Sequence, residues 1–240
     1  MIPGADFAAG VEAAGAPLAL SDLEVTLVGA GRSGSQIALI LAMLGVRLRV
    51  YDFDRLGPEN QGRQLYRRSD VVARREKVRA LRRLVRAIVP WAVFRAHAER
   101  FEAGPEQPHS PIVVVAVDTM AERRALWDRL ADTAGLCLLI DARLGRGQLR
   151  LHEVFLDQPA AVTDYEASLH DDPADGDAAV CGEDASVHAA AAAAALVAGA
   201  LRAFVAGWPR PAWTAVDLDR AQWLSGPLAG GIVDSHAPPC

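Results

Sequence analysis

The chain has 240 residues, is 51% hydrophobic and carries a formal net charge of −5. That length supports one large α/β domain with a full core, and the acidic balance argues against a general nucleic-acid binder. No uninterrupted apolar run reaches the ~18 residues of a membrane span, and no secretory leader pattern opens the sequence, so a bacterial-type cytoplasmic setting is expected. Cys137, Cys181 and Cys240 are spaced too widely for a disulfide framework or a Cys-x-x-Cys zinc pair. Charge is unevenly placed. Ten of the 25 basic residues fall between Arg63 and Arg86, while nine acids and no Lys or Arg lie between Asp157 and Asp184. These tracts read equally well as a solvated helix face with an acidic loop, or as a basic rim suited to a polyphosphate ligand.

Residues 1–22 form an expected flexible lead-in. A short apolar strand over 23–28 runs directly into Gly29-Ala30-Gly31-Arg32-Ser33-Gly34, and an apolar helix over 34–44 opens on the last glycine. Strand, glycine turn and helix in immediate succession are the context in which such a turn approaches phosphate. Gly29 and Gly31 permit the tight turn and the close backbone approach, and Gly34 lets the helix pack on the strand. The helix N-terminus then offers unpaired N–H groups and a positive dipole end to an anion. A second strand over 46–51 ends at Asp52, 18 positions after Gly34, where an acid is placed for ribose hydroxyls.

A turn-rich segment follows, then a helix from about residue 70 or 74 to 88, with Val78, Leu81, Leu84, Val85 and Ile88 on one apolar face and Pro90 beyond its end. Strands are expected over 91–97 and over 111–117, the latter apolar at every position as a buried parallel strand is. Asp118 stands at its carboxyl end. A helix over 121–134 leads to a strand over 136–140 ending at Asp141, then to an alternating, antiparallel strand over 147–155. Residues 157–183 are read as a long loop. Asp184 and Ser186 are candidate caps for a helix reaching about residue 206. A terminal hairpin over 212–224 and a frayed tail over 225–240 complete the chain. The expected fold is Rossmann-like: a mostly parallel central sheet flanked by helices, with antiparallel strands added in the C-terminal part.

Asn60, Arg63, Gln64 and Lys77 lie within 18 positions of one another. Arginine offers phosphate a planar fork and lysine a compact point charge. A dinucleotide held by backbone has little need of such a cluster; a triphosphate does. Lys77 is the only lysine in the chain. Asp118, beside the expected phosphates, is a hard oxygen ligand of the kind Mg²⁺ takes. A nicotinamide- or flavin-dependent oxidoreductase would use the glycine turn and Asp52 equally well. A non-catalytic nucleotide-binding scaffold is the other alternative.

GAGRSGSQ, YDFD, ENQGRQ, the helix carrying Lys77, and VDTMAERR resemble the ThiF/MoeB family and ubiquitin-activating enzymes, in the family's order and approximate spacing. The likeness covers about residues 23–224 and is nearest to compact bacterial ThiF-like proteins such as those of PRTRC systems. It implies ATP- and Mg²⁺-dependent adenylation of the C-terminal carboxylate of a ubiquitin-like or sulfur-carrier protein, by a homodimer. By position, Asp52 and Asp54 fall in the nucleotide motif, with Asp52 on the ribose. Asn60, Arg63 and Gln64 would approach the phosphates, Lys77 would steady the triphosphate, and Asp118 would hold Mg²⁺. Cys181, in the crossover loop over 157–183, is a candidate nucleophile for a thioester or acyl-disulfide, with His188 nearby. The chain departs from the family twice. It lacks the paired Cys-x-x-Cys motifs of zinc-binding members, so no zinc is expected. It also has no arginine in residues 1–22 to serve a partner's site, leaving that role unfilled or to Arg32 or another arginine.

Overall fold

The computed structural model describes residues 19–103, 109–131, 133–145, 147–169 and 187–229. The lead-in up to residue 18, residues 170–186 (with Cys181, Asp184 and Ser186) and the tail from 230 lie outside them. Ten strands occur among the described residues: β1 (Glu24–Val28), β2 (Arg47–Tyr51), β3 (Phe94–His97), β4 (Ile112–Val115), β5 (Leu138–Leu144), β6 (Gln148–Phe155), β7 (Arg210–Pro211), β8 (Trp213–Asp217), β9 (Gln222–Ser225) and β10 (Leu228–Ala229). Eight of them form one sheet in the order β3-β2-β1-β4-β5-β6-β8-β9. The first five in that order are parallel and the last three antiparallel. The fold is therefore the Rossmann-like one expected, with its antiparallel extension. β7 and β10 pair separately.

The helices are α1 (Arg32–Met43), α2 (Arg68–Val72), α3 (Lys77–Ile88), α4 (Met120–Leu130), α5 (Pro159–Ala167) and α6 (Val187–Ala206). Side-chain period decides which face of the sheet each covers. Val25, Leu27, Val114 and Ile140 point to one face and pack with Ile37 and Leu41 of α1, Val78 and Leu81 of α3, and Val197 and Leu201 of α6. Val28, Val113, Val115 and Leu139 point to the other, against Leu126, Trp127 and Leu130 of α4 and Tyr165 of α5. With both faces covered, β4 is buried throughout. α1 stops where Gly45 takes φ 86°: its N–H reaches Ala42 O and that of Val46 reaches Leu41 O, the paired bonds of a Schellman end. α6 is long and apolar enough to cross a membrane by length and composition. Its Ala194, Val197 and Leu201 are instead built into the main core.

Four expectations change. The helix expected up to residue 88 is two helices: Arg74 adopts φ 46°, and Arg55 and Glu76 form a β-bridge between them, so α3 begins afresh at Lys77. Part of the 157–183 loop is helical, with Pro159 at the first turn of α5, a position whose missing N–H costs nothing. The expected frayed tail starts as β10, paired with β7. Finally, Asp141 is not at a strand end. It lies within β5, fully buried.

Asp141 is the centre of a buried polar cluster. Arg123 Nε of α4 donates to it at 2.9 Å, Arg143 Nε at 2.7 Å and the Tyr165 hydroxyl at 3.2 Å. Arg143 also reaches Ser168 O and Oγ, and Arg123 reaches the carbonyl of Val117. Burial alone would raise the Asp141 carboxyl, but the two guanidinium charges outweigh it and hold it at about 2. Neighbouring His152 is pushed the other way. Burial first, then the Arg143 charge, lowers its imidazole to about 3, and its Nε2 is shielded from solvent with no hydrogen-bond partner. The unfolded chain protonates this ring below pH ~6.5 while the folded protein does not. Stability is therefore expected to fall on acidification by up to ~1.4 kcal/mol per pH unit from His152 alone. Urea midpoints measured from about pH 6.5 to 4.5 should show that slope, and His152→Gln should flatten it.

Candidate active site

β1, β2 and β4 end side by side, and the site is built on their carboxyl ends, where parallel sheets bind ligands. β1 feeds Gly29, whose N–H donates to Tyr51 O at 2.8 Å. Gly29 has φ 98°, and a Cβ there would stand 2.5 Å from the Ala116 carbonyl oxygen. A Cβ on Gly34 would lie 2.0 Å from Gly29 O, so the third glycine serves the close packing of α1 on the turn that its spacing suggested. Tyr66 O–H donates to Ala30 O and braces the turn from outside.

Asp52 closes the turn from β2. Its carboxylate accepts from Ala30 N at 2.7 Å and from Asp54 N at 2.8 Å. Burial pushes this carboxyl above its ordinary value, opposed by the Lys77 charge and the two backbone bonds. Lys77, the first residue of α3, is 7% exposed. Its Nζ donates to Asp54 Oδ2 at 2.7 Å, and its backbone N–H donates to Asp54 O at 2.9 Å. Burial pulls the ammonium down, but Asp52, Asp54 and Asp118 outweigh it and raise its pKa above the ordinary lysine value. Asp118 follows β4, and its Oδ1 lies 3.9 Å from where a Gly31 Cβ would be. Gly29, Gly31, Asp52, Asp54, Lys77 and Asp118 thus line one cavity open to solvent.

Asn60, Arg63 and Gln64 stand outside that lining. Asn60 is buried in the turn Pro58–Asn60, where its Oδ1 accepts from Gly57 N at 2.7 Å. Arg63 is exposed. Gln64 is half-buried, with its amide oxygen shielded and without a hydrogen-bond partner. Arg32 is half-buried at the start of α1. Sequence reasoning missed the aromatic wall of the cavity: Phe53, with the Arg100 guanidinium 4.3 Å above its ring. Arg100 is held by Glu122 at 3.1 Å, and the Glu122 backbone N–H is bound by the Thr119 hydroxyl. The only linear signal for Phe53 was its place between two site acids; Arg100 had none. Among the described residues no group of three or more His, Cys, Asp or Glu side chains is arranged to hold a metal ion. Asp118 fits the lesser demand of Mg²⁺, which takes one or two carboxylates and completes its shell with phosphate oxygens and water.

The ThiF family model matches residues 10–218. No curated protein sequence matches the chain. Among solved structures, PaaA superposes with a TM-score of 0.63 at 21% identity, over 85% of this chain and 72% of its own. MccB of E. coli with MccA gives 0.64 at 17% identity, over 90% of this chain and 66% of its own. MccB with ATP gives 0.64 at 17%, over 90% and 67%. The chain thus spans about two thirds of the length of MccB, and at these identities the likeness establishes the fold.

Proposed function

The chain belongs to the ThiF family, and from that premise we propose that it adenylates the C-terminal carboxylate of a ubiquitin-like or sulfur-carrier protein, using ATP and Mg²⁺. The observation that carries the reading is the shared cavity: Lys77 and Asp118 face the glycine turn together with Asp52. Further support comes from the fold neighbour MccB, which has been seen with ATP and with MccA.

In this reading Asp52 accepts the ribose hydroxyls, and the N–H groups at Gly31 and the first turn of α1 meet phosphate oxygens. Lys77 exchanges its contact with Asp54 for the triphosphate. Asp118 would hold Mg²⁺, which would supply charge to offset that on the phosphate oxygens. A carboxylate oxygen of the carrier attacks the α-phosphorus, the bond to the bridging oxygen breaks, and pyrophosphate leaves with an acyl-adenylate formed. The protein's share is positioning and charge stabilisation rather than covalent work. Transfer to Cys181 is a further step: its thiolate attacks the acyl carbon, a thioester forms and AMP departs.

ATP–pyrophosphate exchange with the full chain and candidate carriers tests this. Exchange that needs both Mg²⁺ and an intact carrier C-terminus supports adenylation. Tight ATP binding with no exchange for any carrier supports the scaffold alternative, and binding of NAD in preference to ATP supports the oxidoreductase. Cys181→Ser is expected to keep exchange and lose a thiol-labile carrier adduct; an unchanged adduct removes the transfer step.

A further inference from the structure

The solvent face of α3 carries Arg79, Arg82, Arg83 and Arg86, at spacings that bring them into one stripe. Arg67, just before α2, stands across from it, and a groove is lined by Arg67, Arg82, Arg83, Arg86 and Ala87. Among the described residues little neutralises this groove. Arg79 is paired with Glu76. Among the described residues Arg83 reaches only Asp70, at 3.8 Å, and that carboxylate is already held by Arg75 at 2.7 Å. Among the described residues no acid pairs with Arg67, Arg82 or Arg86. The chain as a whole is acidic, with a net charge of −5, so the cluster does not follow from a generally basic surface. Like charges three and four positions apart repel, and the groove holds several of them together.

We propose that this groove docks an acidic segment of the polypeptide substrate, an assignment that rests on the adenylation reading. Guanidinium forks match carboxylates in geometry and charge. The same helix connects groove to cavity: Lys77 begins α3 inside the site, and at 1.5 Å per residue Arg82 and Arg86 lie roughly 7 and 13 Å further along the axis. An extended chain covers about 3.3 Å per residue. The acidic stretch of the substrate therefore begins roughly two to four residues from its reactive carboxyl group. A nucleic acid fits less well, because its backbone charge continues past the groove onto an acidic protein.

The test uses the full chain and a fluorescent peptide of roughly ten residues rich in Asp and Glu, its Asn/Gln counterpart, and a single-stranded oligonucleotide. Fluorescence anisotropy is read at about 50 and about 300 mM NaCl. The acidic peptide is expected to bind in a salt-sensitive way, and Arg82→Glu with Arg86→Glu should weaken it roughly tenfold or more. ATP binding by the same variant should be unchanged, which also shows that it is folded. Equal binding of the two peptides, unchanged binding by the double variant, or preference for the oligonucleotide overturns the proposal. Peptide binding is read without ATP, so absence of adenylate with any carrier, alongside salt-sensitive peptide binding, removes the catalytic reading and leaves the anionic docking site.

Discussion

Asp118→Ala is expected to lower carrier-dependent ATP–pyrophosphate exchange by about 10²–10³-fold or more, the range seen when one fixed electrostatic group is removed from a reacting centre. The unfolding midpoint should barely change. Asp118 is exposed at the mouth of the cavity, and substitutions of that kind are usually within about 0.5 kcal/mol. ATP binding without Mg²⁺ should hold or improve, because a negative charge leaves the side of the polyphosphate. That pattern separates a residue that holds the metal from one that shapes the pocket. A variant with full exchange, or one that loses exchange together with Mg²⁺-free ATP binding, would remove Asp118 from the role proposed for it.

Asp141→Asn should have the largest effect on stability. It removes one charge from between two buried guanidinium groups, and breaking such a pair typically costs about 3–5 kcal/mol. In a chain whose total stability is expected to lie near 5–15 kcal/mol, this lowers the melting temperature by roughly 6–20 °C. The intact carboxylate has its own pH signature. Its folded pKa of about 2 lies below the unfolded value, so its contribution is complete above pH ~4 and is lost as pH falls through about 2. A urea midpoint that does not move in Asp141→Asn would mean that the cluster holds nothing together. Because Arg123 also reaches the carbonyl of Val117, next to Asp118, this loss of stability should begin beside the cavity at the strand ends.

The parts of this molecule legible in its sequence are those whose cause is local. Gly29 and Gly34 declare the turn because a Cβ at either would strike backbone, and Asp52 and Asp118 sit where strand ends must place them; the helix of Lys77 was legible, its start was not. Asp141 was misread because an acid after Leu138, Leu139 and Ile140 looks like a strand emerging into water. Its two neutralising arginines include one 18 positions earlier, and no window of sequence joins them. The left-handed turn at Arg74 was hidden because neither Gly nor Asn marks it. The helix at Pro159–Ala167 was obscured by its weak apolar contrast, although Pro159, Ala161, Val162 and Tyr165 were there to be counted. Phe53 meets Arg100 only once β2 and β3 are neighbours.

The interruption between α2 and α3 has an evolutionary consequence. In an unbroken helix each added residue would swing the preceding segment by about 100° around the axis relative to Lys77. Here the lysine's orientation is set afresh by the hydrogen bond from its own backbone to Asp54 and by the bridge at Glu76. The stretch upstream is thereby released from any fixed phase, so insertions and deletions in it can reshape what surrounds the cavity while the Lys77 ammonium stays in place.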